Sequence, residues 1–73
     1  MKNERFVIRA YGKSELAMLY FPKSSKATAM KLFRWWLKIN PRLRKITVNK
    51  KQYYTPKQVK MIVEEIGEPY DTE

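Results

Sequence analysis

The sequence predicts a small α+β domain: a winged helix-turn-helix of three helices, with a short N-terminal strand and a β-hairpin wing. Three observations predict it. A short helix signal and a longer amphipathic one are separated only by the turn residues Pro22, Lys23, Ser24 and Ser25. A β-forming stretch with a polar turn, residues 45–54, follows the longer helix almost directly. Thr55-Pro56-Lys57-Gln58 then opens a third helix with a Thr-x-x-Gln capping box. Two helices joined by a tight turn form the unit whose second helix enters the DNA major groove, and a hairpin behind it is a wing.

In chain order, residues 5–11 come first. They are β-rich, with Phe6, Ile8 and Ala10 on one alternating face, and Gly12 ends the predicted strand. Ser14 is placed as N-cap of a helix running from Glu15 to about Tyr20. Glu15 lies in its first turn, where the helix dipole favours an acid, and Pro22 stops it. Leu16, Leu19 and Tyr20 fall on one side.

Ser25 is the predicted cap of the second helix, residues 26–39. At 100° per residue, Ala29, Met30, Leu32, Phe33, Trp36, Leu37 and Ile39 fill roughly half the cylinder. Lys31, Arg34 and Lys38 take the middle of the other half, and Asn40-Pro41 closes the helix. In the hairpin, Ile46 and Val48 alternate with Thr47. Asn49-Lys50-Lys51 makes the turn, and Tyr53-Tyr54 returns. Thr55 caps the third helix with Pro56 at its first position; Val59, Ile62, Val63 and Ile66 form its buried stripe. Gly67 ends it and Pro69 prevents its resumption.

Length and composition set the bounds. The 73 residues make one domain, 1–73, with an ordered core of about 5–69 and loose ends at 1–4 and 70–73. Ten aromatic residues and 44 % apolar content argue against disorder. Cysteine and histidine are absent, which excludes disulfides, thiol nucleophiles, zinc fingers and imidazole chemistry. Glu64 and Glu65 are adjacent on a helix and point some 100° apart, so they make no catalytic pair. The expectation is a protein that is no enzyme and needs no cofactor or metal. The longest apolar run, residues 16–21, falls far short of the ~20 residues of a membrane helix. No signal peptide is recognisable, and a cytoplasmic protein without a membrane partner is expected.

Charge is the informative part. Sixteen Lys and Arg against seven Asp and Glu give a net charge of +9. Between Glu15 and Glu64 stand twelve bases and no acid, whereas the last ten residues hold five acids and no base. Such a field favours a polyanion, although an inert basic surface has the same composition.

Two resemblances follow from the motifs. Glu15-Leu16-Ala17, an aromatic at Trp35 or Trp36, and Tyr54-Thr55-Pro56-x-Gln58-Val59 resemble the MerR and excisionase class of winged helices, over about residues 13–66. This resemblance implies DNA contact through the second helix and the wing. No dimerising helix or effector domain follows the third helix, so small excisionase-like modules are the nearer comparison. A second set of residues spans nearly the whole chain. It comprises Ile8-Arg9-x-Tyr11-Gly12-Lys13-x-Glu15-Leu16-Ala17-x-Leu19-Tyr20-Phe21-Pro22, Asn40-Pro41-x-Leu43, Thr55-Pro56-x-Gln58-Val59 and Gly67-Glu68-Pro69. Together these resemble a family of short uncharacterised Bacteroidales proteins, which implies domain boundaries and a bacterial origin but no activity.

The candidate contact face is Lys31, Arg34 and Lys38, since Arg reads guanine and Lys meets phosphate. A solvated helix face is the plain alternative, but such a face normally mixes signs. Ser24, Lys26 and Thr28 stand with Ser25 at the helix N-terminus, where they either bind a phosphate or serve the cap. Lys50 and Lys51 mark the wing tip, and Arg42, Arg44 and Lys45 extend the positive surface. Trp36 is expected in the core. Trp35, at the stripe's edge, either packs there or stacks on a base. The expected function is binding of double-stranded DNA as a small regulatory or architectural factor, with the acidic end kept outside the interface. The rival is an adaptor that docks an acidic protein partner, with Trp35 as anchor. RNA binding ranks third, for want of an aromatic-studded sheet. A homodimer is compatible with either main reading.

Overall fold

The computed structural model describes residues 6–48 and 50–69. The elements run β1 (Tyr11–Gly12), α1 (Lys13–Tyr20), α2 (Lys26–Ile39), a 3₁₀ helix (Arg44–Val48), β2 (Tyr53–Tyr54) and α3 (Pro56–Ile66). Among the described residues the architecture is thus α+β, with three α-helices, one 3₁₀ helix and a two-stranded antiparallel sheet. Arg5 of the expected first strand, Asn49 of the expected turn, and the ends 1–4 and 70–73 lie outside the described residues.

The first strand is shorter than its composition predicts. Five extended residues span about 17 Å, yet the Phe6 and Tyr11 rings stack with centroids 5.1 Å apart. The chain therefore bends back between them, and the Tyr11 hydroxyl donates to the Val7 carbonyl at 2.8 Å. Phe6 is buried but Ile8 is exposed, so the alternating face is lost. Only Tyr11 and Gly12 enter the sheet.

Helix α1 starts two residues before the expected Glu15, and Gly12, not Ser14, is its N-cap. Gly12 is held by its pairing with Tyr53, and the Glu15 carboxylate accepts the Gly12 N–H at 3.1 Å. The inward face is Leu16, Ala17 and Tyr20, with Leu19 only half-buried.

Helix α2 begins where Ser25 predicts. Its Oγ accepts the Thr28 N–H at 3.2 Å. The fully buried stripe is narrower than the apolar half-cylinder: Ala29, Phe33 and Leu37, at steps of four. Met30, Leu32 and Ile39 stay exposed. Aromatic packing joins α1 to α2, with Tyr20 stacked on Phe33 at 5.1 Å and Trp36 edge-on to Tyr20 at 6.0 Å. Trp36 also meets Phe21 at 4.6 Å, so it is half-buried against the core.

The segment expected to form the outgoing hairpin strand is helical instead. Leu43 and Ile46 are both buried, one helical turn apart. The Leu43 N–H donates to the Asn40 carbonyl at 3.0 Å and the Ile46 N–H to the Leu43 carbonyl at 2.9 Å. A strand would have placed Ile46 and Val48 on one face; here Val48 is 72 % exposed. The return strand survives with a different partner. Tyr54 pairs with Tyr11 and Tyr53 with Gly12, and the Lys13 N–H extends the ladder to the Gln52 carbonyl at 3.0 Å.

Helix α3 opens on the predicted capping box. Thr55 Oγ1 accepts the Gln58 N–H at 3.2 Å, and Gln58 Oε1 accepts the Thr55 N–H at 3.1 Å. Val59 and Ile62 are fully buried, and Gly67 ends the helix. Leu16, Phe33, Leu37, Leu43, Val59 and Ile62 are the largest fully buried side chains, so all three helices share one core.

Candidate nucleic-acid interface

The outward face of α2 follows from its inward one. With Ala29, Phe33 and Leu37 fixed in the core, Lys31, Arg34, Trp35 and Lys38 point to solvent. Lys31 and Trp35 are one turn apart, as are Trp35 and Lys38, so the indole lies between two ammonium-bearing chains. Trp35 is 55 % exposed. Leu32 and Ile39, also exposed, flank it at i−3 and i+4.

Among the described residues, Lys31, Arg34 and Lys38 carry no carboxylate partner. Two of the described acids are paired with other bases. Glu15 pairs with Arg9 at 3.0 Å, and the Arg9 guanidinium and the Gly12 N–H hold its carboxyl below the usual carboxylate range. Glu65 pairs with Arg42 at 3.1 Å and also accepts the Asn40 side-chain N–H at 3.3 Å.

The remaining basic residues are spread around this face. Arg42 is tied to α3 through Glu65, so part of the acidic end folds back onto the positive surface. Arg44 Nε donates to the Lys38 carbonyl at 3.3 Å and so caps the last turn of α2. Lys45 is exposed on the 3₁₀ helix, and Lys50 and Lys51 are exposed on the segment leading into β2. Lys51 Nζ stands 5.8 Å from the Tyr53 ring. At the N-terminus of α2, Lys26 and Thr28 are exposed and Ser24 half-buried. Ser25 Oγ there shares a 3.0 Å hydrogen bond with Thr28 Oγ1.

A cleft of about 230 Å³ opens where α1, α2, the 3₁₀ helix and β2 meet. Its apolar wall is Ala17, Phe33, Leu37 and Ile46, and Lys13, Lys31 and Arg34 stand around it. Tyr54 lines it too, with its ring 5.9 Å from Phe33 and 5.8 Å from Lys13 Nζ. Burial pushes the Tyr54 phenol up to about 12 against the opposing pull of the Arg34 charge, so it is a neutral donor at ordinary pH. Lys13 and Tyr54 had no functional signal in the sequence. Only the pairing of β2 with β1 brings them beside α2.

Among the described residues no group of three acidic side chains gathers to hold a metal ion, and no helix is long and apolar enough to cross a membrane. No curated protein and no solved structure matches the chain. One family does, described as Domain of unknown function (DUF4248), over residues 7–69. That match takes in both strands and all the helices, and the chain belongs to this family.

Proposed function

We propose that the domain binds double-stranded DNA through the outward face of α2, as a small regulatory or architectural factor of the cytoplasm. The observation that carries this reading is the uncompensated row Lys31, Arg34 and Lys38 on one exposed helix face. The order α1, tight turn, α2 supports a helix-turn-helix use, with α2 in the major groove. Lys50 and Lys51, ahead of β2, take the part of the wing and meet the backbone. The test is a titration of the purified protein against random duplex DNA at several salt concentrations. With about five phosphates neutralised, log K falls against log salt with a slope near −4 to −5. Absence of binding at low salt, or binding indifferent to salt, overturns the reading.

One observation favours a second reading. Leu32, Trp35 and Ile39 form an exposed apolar line at 38, 55 and 55 % exposure beside Lys31 and Lys38. An acidic protein partner would use Trp35 as a central anchor and the lysines as its rim. Failure of the duplex titration selects this adaptor role.

A further inference from the structure

Tyr54 is 6 % exposed, yet among the described residues its hydroxyl makes no hydrogen bond. No sealed side-chain oxygen or nitrogen there lacks a partner, so this hydroxyl is not sealed; it opens to the cleft that Tyr54 lines. Water in the cleft can accept from this donor, and a ligand oxygen that takes the water's place gains the same hydrogen bond directly. Three cations, Lys13, Lys31 and Arg34, line the same cleft as Tyr54, over the apolar wall of Phe33 and Ile46. Three positive charges suit a dianion better than a monoanion. At about 230 Å³ the cleft is smaller than the roughly 300–1,000 Å³ of drug-sized sites. It is of the size for one ring.

We propose that this cleft binds a phosphate monoester carried on a single ring, with the ring against Phe33 and Ile46, the phosphate among Lys13, Lys31 and Arg34, and Tyr54 donating to the ligand. The ligand is either a free phosphomonoester or the 5′-phosphorylated end of a nucleic-acid strand. This goes beyond duplex binding and does not rest on it, because Tyr54 and Lys13 lie off the outward face of α2.

The experiment is an NMR titration of the full chain with phenyl phosphate, inorganic phosphate and hexathymidine with or without a 5′-phosphate. Phenyl phosphate is expected to shift the Tyr54, Ile46 and Lys13 resonances saturably and to bind about tenfold tighter than inorganic phosphate. Tyr54→Phe keeps the ring and is expected to weaken phenyl phosphate about threefold to tenfold. Lys13→Ala, outside the core, is expected to weaken it similarly and serves as well if Tyr54→Phe fails to fold. Tighter binding of the 5′-phosphorylated strand than of phenyl phosphate, lost in the same variants, identifies the strand end as the source; the reverse order identifies a free small molecule. Equal binding of phenyl and inorganic phosphate, or binding unaltered in both variants, overturns the proposal. Duplex affinity measured on the same variants separates the two readings, since neither substitution touches the outward face of α2.

Discussion

The Tyr20 hydroxyl donates to the Gly67 carbonyl at 2.5 Å, joining the last residue of α1 to the residue that ends α3. Gly67 has φ +89° and ψ 168°, a region essentially confined to glycine. Its N–H still donates to the Val63 carbonyl at 2.8 Å, so the chain leaves the helix sharply while offering its own carbonyl to Tyr20. The same Tyr20 ring stacks on Phe33 and meets Trp36. One side chain therefore ties all three helices together.

Two substitutions test this tie. Tyr20→Phe keeps the stacking and removes the hydrogen bond, which costs about 1 kcal/mol. Gly67→Ala costs roughly 1–3 kcal/mol through backbone strain alone, because nothing lies within 4 Å of the added Cβ. Thermal or urea melts measure both. A Gly67→Ala variant as stable as the parent would show that the native chain does not need the positive φ.

The adjacent tryptophans separate packing from contact. Trp36→Ala loses the contacts with Tyr20 and Phe21 and destabilises by roughly 2–3 kcal/mol, less than the ~3–5 of a fully buried aromatic. Trp35→Ala is expected to stay within about 0.5 kcal/mol of the parent. Equal losses of melting temperature in the two variants contradict the phase of α2.

Lys31→Ala, Arg34→Ala and Lys38→Ala combined open no cavity, and alanine is the better helix former. Circular dichroism is expected to stay native while specific duplex affinity is mostly lost. Lys50→Ala with Lys51→Ala should instead weaken all sequences alike and flatten the salt slope by roughly 1–2 units. If the triple variant binds duplex DNA as well as the parent, α2 does not lie in the groove.

Alkaline pH reports on Tyr54. Its phenol is raised in the folded state, from an ordinary value of 10 to about 12. The unfolded chain therefore releases this proton first. The stability it contributes is intact below pH 10 and is lost as pH rises toward 12, with a limiting slope of about 1.4 kcal/mol per pH unit. The measurement that isolates Tyr54 is the difference between parent and Tyr54→Phe in melts from pH 9 to 11.5. Parallel pH profiles for the two proteins rule out a buried, neutral Tyr54.

Much of the candidate face was legible because its determinants are local. Ser25 and Thr55 cap their helices through N–H groups three residues on, and Gly67 ends α3. A buried stripe at Ala29, Phe33 and Leu37 sets Lys31, Arg34, Trp35 and Lys38 outward without reference to the rest of the chain. The same reasoning over-widened the stripe, since Ile39 is apolar but stays 55 % exposed among the described residues.

The sequence by itself determined the three helices, the caps of α2 and α3, the α+β class and the unbalanced positive face of α2, all of which follow from residue types within a few positions of one another. The cap of α1 fell to Gly12, which its pairing with Tyr53 holds. Tertiary structure alone decided the rest. Ile46 is equally compatible with a strand and a helical turn, and the choice fell to the core space that takes Leu43 and Ile46 together. Freed from a local hairpin, Tyr53–Tyr54 paired across more than forty residues with Tyr11–Gly12. That pairing placed Lys13 and Tyr54 beside Lys31 and Arg34 and made the cleft. Glu65 likewise reached Arg42 only because α3 docks against the end of α2. Contacts between distant segments depend on which surfaces remain open once the helices pack, and no periodicity along the chain encodes that.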